Sequence, residues 1–179
     1  MHPLNRQQWS GKMAVCCAVL LSLVSEFVQA DEKQKTPPRP QLPVAAIVTE
    51  YRTNSHADVI VGKILEGYRQ DGGPGPDLRI VSMYRDQVPG QDLSQDLAKK
   101  HGFLIAKTIE EAIVAPSGKD QIAGVLSIGE HGHYPRNDIG RVKYPRRRFF
   151  DEIIAAMRRC GTFVPLFNDK HLSWNWSDA

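Results

Sequence analysis

A chain of 179 residues with formal net charge +3, 41% hydrophobic and 24% charged residues has the composition of a single ordinary globular domain. So small a basic excess gives no ground for a nucleic-acid partner.

Residues 1–30 are set aside before any fold reasoning, because they read as a secretory signal. His2, Arg6 and Lys12 form a positive start, and residues 13–24 are apolar but too short to span a bilayer comfortably. Val28-Gln29-Ala30 offers a cleavage site ahead of the polar Asp31-Glu32-Lys33. No Arg-Arg pair precedes the apolar stretch, so general secretion is expected, to the periplasm or beyond, with no stable membrane span after cleavage. Cys16 and Cys17 lie inside the apolar stretch, which argues against a lipid-attached cysteine. Cleavage leaves Cys160 alone and no intramolecular disulfide possible; a small buried hydrophobe is expected there.

Residues 31–43, carrying Pro37, Pro38, Pro40 and Pro43, form a linker. Residues 44–48 are the first strand, followed by a polar turn over 49–55 in which Asn54 or Ser55 caps a helix. Ala57, Ile60, Val61, Ile64, Leu65 and Tyr68 fall on one face of that helix. A Gly-Pro loop over 71–77 ends it, and residues 78–84 are the second strand, stopping at Arg85-Asp86-Gln87. A short helix over 93–101 leads to the third strand at 103–106. Thr108-Ile109-Glu110-Glu111 has the spacing of a capping box and opens a helix through Val114.

The fourth strand, residues 125–128, breaks at Gly129 into Glu130-His131-Gly132-His133. A helix over 146–160 buries Phe149, Phe150, Ile153, Ile154 and Met157, with Gly161 closing it. Residues 163–167 are the fifth strand, placed at an edge or bulged by Pro165. Alternating strands and helices at this spacing specify an α/β fold: a doubly wound, mostly parallel sheet with helices on both faces, of Rossmann type.

In such a sheet every polar strand end opens on one edge, where ligands bind. Glu50 to His56, Arg85-Asp86, Glu130 to His133 and Asn168-Asp169-Lys170-His171 gather there and predict a cleft. Glu130, His131, His133 and His171 are metal-capable types, but are read as hydrogen-bonded rim residues with no metal site. Arg146-Arg147-Arg148 opposes the helix dipole, so an anion or Asp151 and Glu152 must compensate it, and a solvated, salt-bridged helix start is expected.

On these residues the chain resembles the glucose–fructose oxidoreductase, inositol dehydrogenase and MocA-like proteins, over their nucleotide-binding half, residues 44–176. The Thr-Ile-Glu-Glu helix, the entry into strand four and its His-bearing loop carry the likeness. Asn168-Asp169-Lys170-His171 stands where that family has a Glu-Lys-Pro motif. Gly-Glu-His-Gly-His-Tyr-Pro and Asn-Asp-Lys-His-Leu-Ser look like a divergent secreted bacterial subgroup. The resemblance implies hydride transfer between NAD or NADP and a sugar or polyol. Lys170 would polarise the substrate oxygen, with His171 or His131 carrying the proton. Tyr51, Arg52, Asn54, Asp86, Gly129 and Glu130 would hold the cofactor.

It also implies a substrate domain after strand five, which this chain lacks, so a truncated chain inactive alone is expected. Trp174 and Trp176 would pack on that domain or on a partner chain. The first turn, Thr49-Glu50-Tyr51-Arg52-Thr53-Asn54, has no glycine, whereas the family's turn is glycine-rich so that backbone amides approach a pyrophosphate. That departure supports the second expectation, a non-catalytic secreted module binding a sugar, an anion or a metal at the same edge.

Overall fold

The computed structural model describes residues 40–173 and 175–178. The stretch expected to be a secretory signal, most of the expected linker and Trp174 lie outside them. Five strands, β1 (Leu42–Val48), β2 (Leu78–Arg85), β3 (Leu104–Ala106), β4 (Gly124–Ile128) and β5 (Leu166–Asn168), form one sheet. Every pairing is parallel, in the order β3-β2-β1-β4-β5. The connections carry α1 (His56–Leu65), α2 (Ser94–His101), α3 (Ile109–Val114) and α4 (Arg146–Cys160). This is the doubly wound Rossmann-type arrangement. Strand order reverses between β1 and β4, which makes their carboxyl ends the place where a ligand finds a crevice.

The pleat of β1 divides the core. Val44, Ala46 and Val48 pack with Ala57 and Val61 of α1 and Ala98 of α2, while Ala45 and Ile47 pack with Ile109, Ala112 and Ile113 of α3 and Phe149, Ile153 and Met157 of α4. Each large side chain removed from water on either face stabilises the fold by roughly 1.5–3 kcal/mol. A strand apolar on both sides is what a central parallel strand requires.

Local chemistry sets the helix ends. Ser55 caps α1, its Oγ accepting from the Asp58 N–H at 3.1 Å. Thr108 caps α3 through the Glu111 N–H at 3.0 Å. Glu111 reaches back as expected, but to the N–H of Lys107 at 2.7 Å, one residue before the cap. Gly102 and Gly161, with φ of 73° and 69°, end α2 and α4 in the left-handed region.

Several expected boundaries are corrected. β1 begins at Leu42, whose N–H donates to Asp77 O at 2.9 Å, so the linker ends two residues sooner. Tyr68 does not belong to the apolar face of α1: the helix stops at Leu65, Gly67 turns the chain at φ 85°, and Tyr68 is 59% exposed. The fifth strand is Leu166–Asn168 and lies at the sheet edge. Pro165 has no N–H to give the ladder, though its carbonyl accepts from Val125 N at 2.9 Å, so regular pairing starts one residue later. Cys160 is exposed rather than buried, because it ends α4 beyond the last core residue, Met157. No helix among the described residues is long and apolar enough to cross a membrane.

Candidate functional site

The loops leaving β1, β2 and β4 are stitched together at the switch point. Thr49 N–H donates to Ile128 O at 3.2 Å, and Gln87 N–H donates to Thr49 O at 2.8 Å. The Thr49 hydroxyl, fully buried, donates to Glu130 O. These bonds hold three loops at one height, where they present a continuous row of charge and imidazole.

The row starts at Glu50, which is 6% exposed and accepts from Arg52 Nε at 2.6 Å. Arg52 Nη2 lies 3.5 Å from His131 Nδ1. The rings of His131 and His56 meet edge to face, with centroids 5.0 Å apart. His56 Nδ1 is 2.8 Å from Asp169 Oδ2, and Lys170 Nζ is 3.7 Å from Asp169 Oδ1. β1 therefore supplies Glu50, Arg52 and His56, β4 supplies His131, and β5 supplies Asp169 and Lys170.

The partners assign roles to the two imidazoles. A guanidinium only donates, so His131 Nδ1 is the acceptor and its proton sits on Nε2. That Nε2 is shielded from solvent and has no hydrogen-bond partner. A carboxylate only accepts, so His56 Nδ1 carries a proton toward Asp169. Burial first, then the neighbouring His56 and Arg52, push the His131 pKa below its ordinary value, so the ring is neutral at pH 7. The pair thus offers two imidazole rings side by side, a match for hydroxyl groups, which both donate and accept.

A second cluster stands beside it. Gly129 leaves β4 where a Cβ would come within 2.3 Å of Arg146 Cγ, so glycine is what lets Arg146 in. Arg146 is 5% exposed; its Nη1 donates to His171 O at 3.1 Å, and Nη2 is 3.8 Å from Glu130 Oε2. Arg147 and Arg148 pair with Asp151 at 2.9 Å and Glu152 at 3.2 Å, as the i, i+4 spacing predicts. Arg146 corrects the expectation of a wholly solvated helix start. The signal was in the sequence: it stands three before Phe149 and seven before Ile153, on the core face of α4.

Asp86 is held by three donors, Tyr84 Oη at 2.8 Å, Tyr134 Oη at 2.7 Å and Arg148 Nη2 at 2.5 Å. Burial pushes its carboxyl up, and the bonds from Tyr134, Arg148 and Tyr84 overcome that and hold it below its ordinary range.

Of the expected site residues, the structure brings Arg52, His131 and Lys170 into one row and Gly129 and Glu130 next to it. Tyr51 is corrected: its ring is fully buried and packs with Ala57, Val61 and Ala98 in the core, out of reach of a ligand at the rim. Asn54 is exposed at φ 61°, a left-handed position at which Asn substitutes for glycine, and its N–H donates to Asp58 Oδ2 at 2.9 Å. The His171 ring is exposed, and it is the carbonyl of that residue that joins the cluster. His56 and Asp169, which the sequence places only somewhere along the rim, form its central pair. Among the described residues no group of three or more His, Cys, Asp or Glu is placed to hold a metal ion.

No protein-family model matches the chain, and neither curated protein sequences nor solved structures give a match.

Proposed function

We propose that this domain is a binding module for a sugar or another polyhydroxylated ligand, taken at the carboxyl edge of the sheet by His56, His131, Asp169 and Lys170. The observation that carries the reading is the His131 Nε2–H, shielded and without a protein partner, next to a His56 fixed by Asp169. A buried donor left unpaired costs about 1–3 kcal/mol, which a ligand oxygen offsets. The reading includes export by the N-terminal signal and a partner or further domain covering Trp174 and Trp176.

The test is saturation-transfer NMR on the chain with a panel of hexoses, hexuronates and linear polyols. At least one is expected to bind, and His56→Ala is expected to weaken it by about tenfold, the worth of one buried hydrogen bond. A folded chain that binds none of the panel contradicts the reading.

A second reading is an oxidoreductase using NAD or NADP on such a ligand, favoured by the strand order and its β1/β4 switch point. In it Lys170 polarises the substrate oxygen, and His131 or His171 carries the proton. Three features weigh against a dinucleotide in this conformation. The Glu50–Arg52 pair occupies the first turn, the Asn54 N–H in that turn is already taken by Asp58, and Asp86 is engaged by three protein donors.

A further inference from the structure

The loop between β4 and α4 borders an open cleft of about 390 Å³, lined by Gly132, His133, Tyr134, Arg136, Val142 and Tyr144. That is the lower end of the range for small-ligand sites, ~300–1,000 Å³. We propose that this cleft is a subsite for an acidic pyranose, a six-membered sugar ring bearing a carboxylate or a phosphate. The inference deepens the sugar-binding reading, and rests on it, by naming the ligand's chemistry.

The walls are aromatic and fixed in advance. Tyr134 and Tyr144 stand edge to face, with centroids 5.8 Å apart and planes at 68°, so they make a corner and not a closed stack. An aromatic ring face packs well against the C–H face of a sugar. Tyr134 is anchored through its hydroxyl to Asp86 at 2.7 Å. Tyr144 is backed by the Arg146 guanidinium, 5.3 Å from its ring centre.

The loop is braced on itself. Arg136 and Val142 form an antiparallel bridge, Lys143 N–H donates to Pro135 O at 2.8 Å, and Asn137 Oδ1 accepts from the N–H of Arg141 at 2.8 Å. Gln87 clasps the backbone of His133 from both sides, at 2.8 and 2.9 Å. Gly132, at φ 93°, leaves the room a side chain would take: a Cβ there would lie 2.9 Å from the Tyr134 ring. A site held this firmly spends little affinity on ordering itself.

The charge of the lining selects the acid. Arg136 is present, steadied by an Nη1 bond to Gly140 O at 2.7 Å, and no carboxylate is among the lining residues. A neutral sugar would use the tyrosines and not the guanidinium. A simple anion would do the reverse. Only a ring that carries an acid group meets both.

The test is isothermal titration of the full chain with D-glucuronate, glucose 6-phosphate, glucose, acetate and inorganic phosphate. One of the two acidic sugars is expected to bind about tenfold more tightly than glucose, acetate or phosphate, and which of the two wins identifies the acid group. Arg136→Gln should bring that sugar to within about twofold of glucose, and Tyr144→Ala should weaken both by about fivefold. Because Tyr144 also supports Arg146, His133→Ala, an exposed lining change, is measured beside it and should weaken the acidic sugar by about threefold. Equal affinity for glucose and the acidic sugars would overturn the proposal. So would binding that survives Arg136→Gln and His133→Ala. Loss of binding with His56→Ala but not with either cleft variant would sink the cleft and leave the rim reading standing. The opposite pattern would keep the cleft and sink the rim.

Discussion

At φ 69°, His131 holds a left-handed backbone that side chains rarely adopt, and Gly132 follows at φ 93°. A non-glycine residue held there costs on the order of 1–3 kcal/mol, so the strain has to be offset by what the imidazole does. If that is ligand binding, His131→Gly separates the two effects. The variant is expected to unfold at or above the wild-type temperature while its affinity for the preferred sugar falls by about tenfold. Loss of both together would make His131 a purely structural residue. The same ring makes a pH prediction. Its folded pKa lies below the ordinary 6.5, because burial and then His56 and Arg52 disfavour the charge. The unfolded chain therefore binds a proton where the folded one does not, and stability falls as pH drops from 6.5 toward the lowered value. Thermal unfolding followed through that window should show the fall in the wild type and a shallower slope in His131→Gly. A slope unchanged by the substitution would put the effect elsewhere.

The residue scale is also where the sequence was hardest to read. Histidines clustered after strands one, four and five are visible as letters, yet which of them meet depends on loop torsions that periodicity does not encode. Tyr51 and Arg52 are neighbours in the same turn; one ring enters the core and the other side chain joins the rim. Asp169 and His56 are 113 residues apart and are joined only by the β1-β4-β5 order.

Elements were more legible, because their signals are local. The bounds of α4 and the Thr108 cap follow from amphipathic spacing and capping chemistry. Thr108→Ala is expected to cost about 1 kcal/mol, the usual worth of a cap, by urea unfolding. Ile153→Ala, at a fully buried position between α4 and the sheet, is expected to cost ~2–5 kcal/mol. If Ile153→Ala costs no more than Thr108→Ala, α4 does not pack as described. The edge position of β5 was legible from Pro165, but its start was not: Phe163 lies 65% exposed ahead of Leu166, and Phe167, inside the edge strand, is 50% exposed. Between α1 and α2, Glu66 accepts from Lys100 at 2.7 Å and His101 at 2.6 Å. The bond from Lys100 and then that from His101 lower its pKa, so this clasp stabilises the fold above the ordinary carboxylate range and is lost as pH falls through the lowered value.

For the whole molecule, the alternation of strands and helices settled the parallel sheet, and right-handed crossovers settled that helices cover both faces. What it could not decide is whether the crevice at the switch point is open. There the fold's usual dinucleotide geometry meets a first turn filled by an ion pair, and a neighbouring loop that builds a tyrosine-walled cleft instead. The most direct test is a long-range ¹H–¹⁵N spectrum of the histidine rings, recorded as sugar or NADH is added to the full chain at pH 7.5. A neutral His131 protonated on Nε2 is expected, with its signals and those of His56 moving with the sugar and not with NADH. Signals that answer to NADH alone, or an imidazole of His131 protonated on Nδ1, would contradict this expectation.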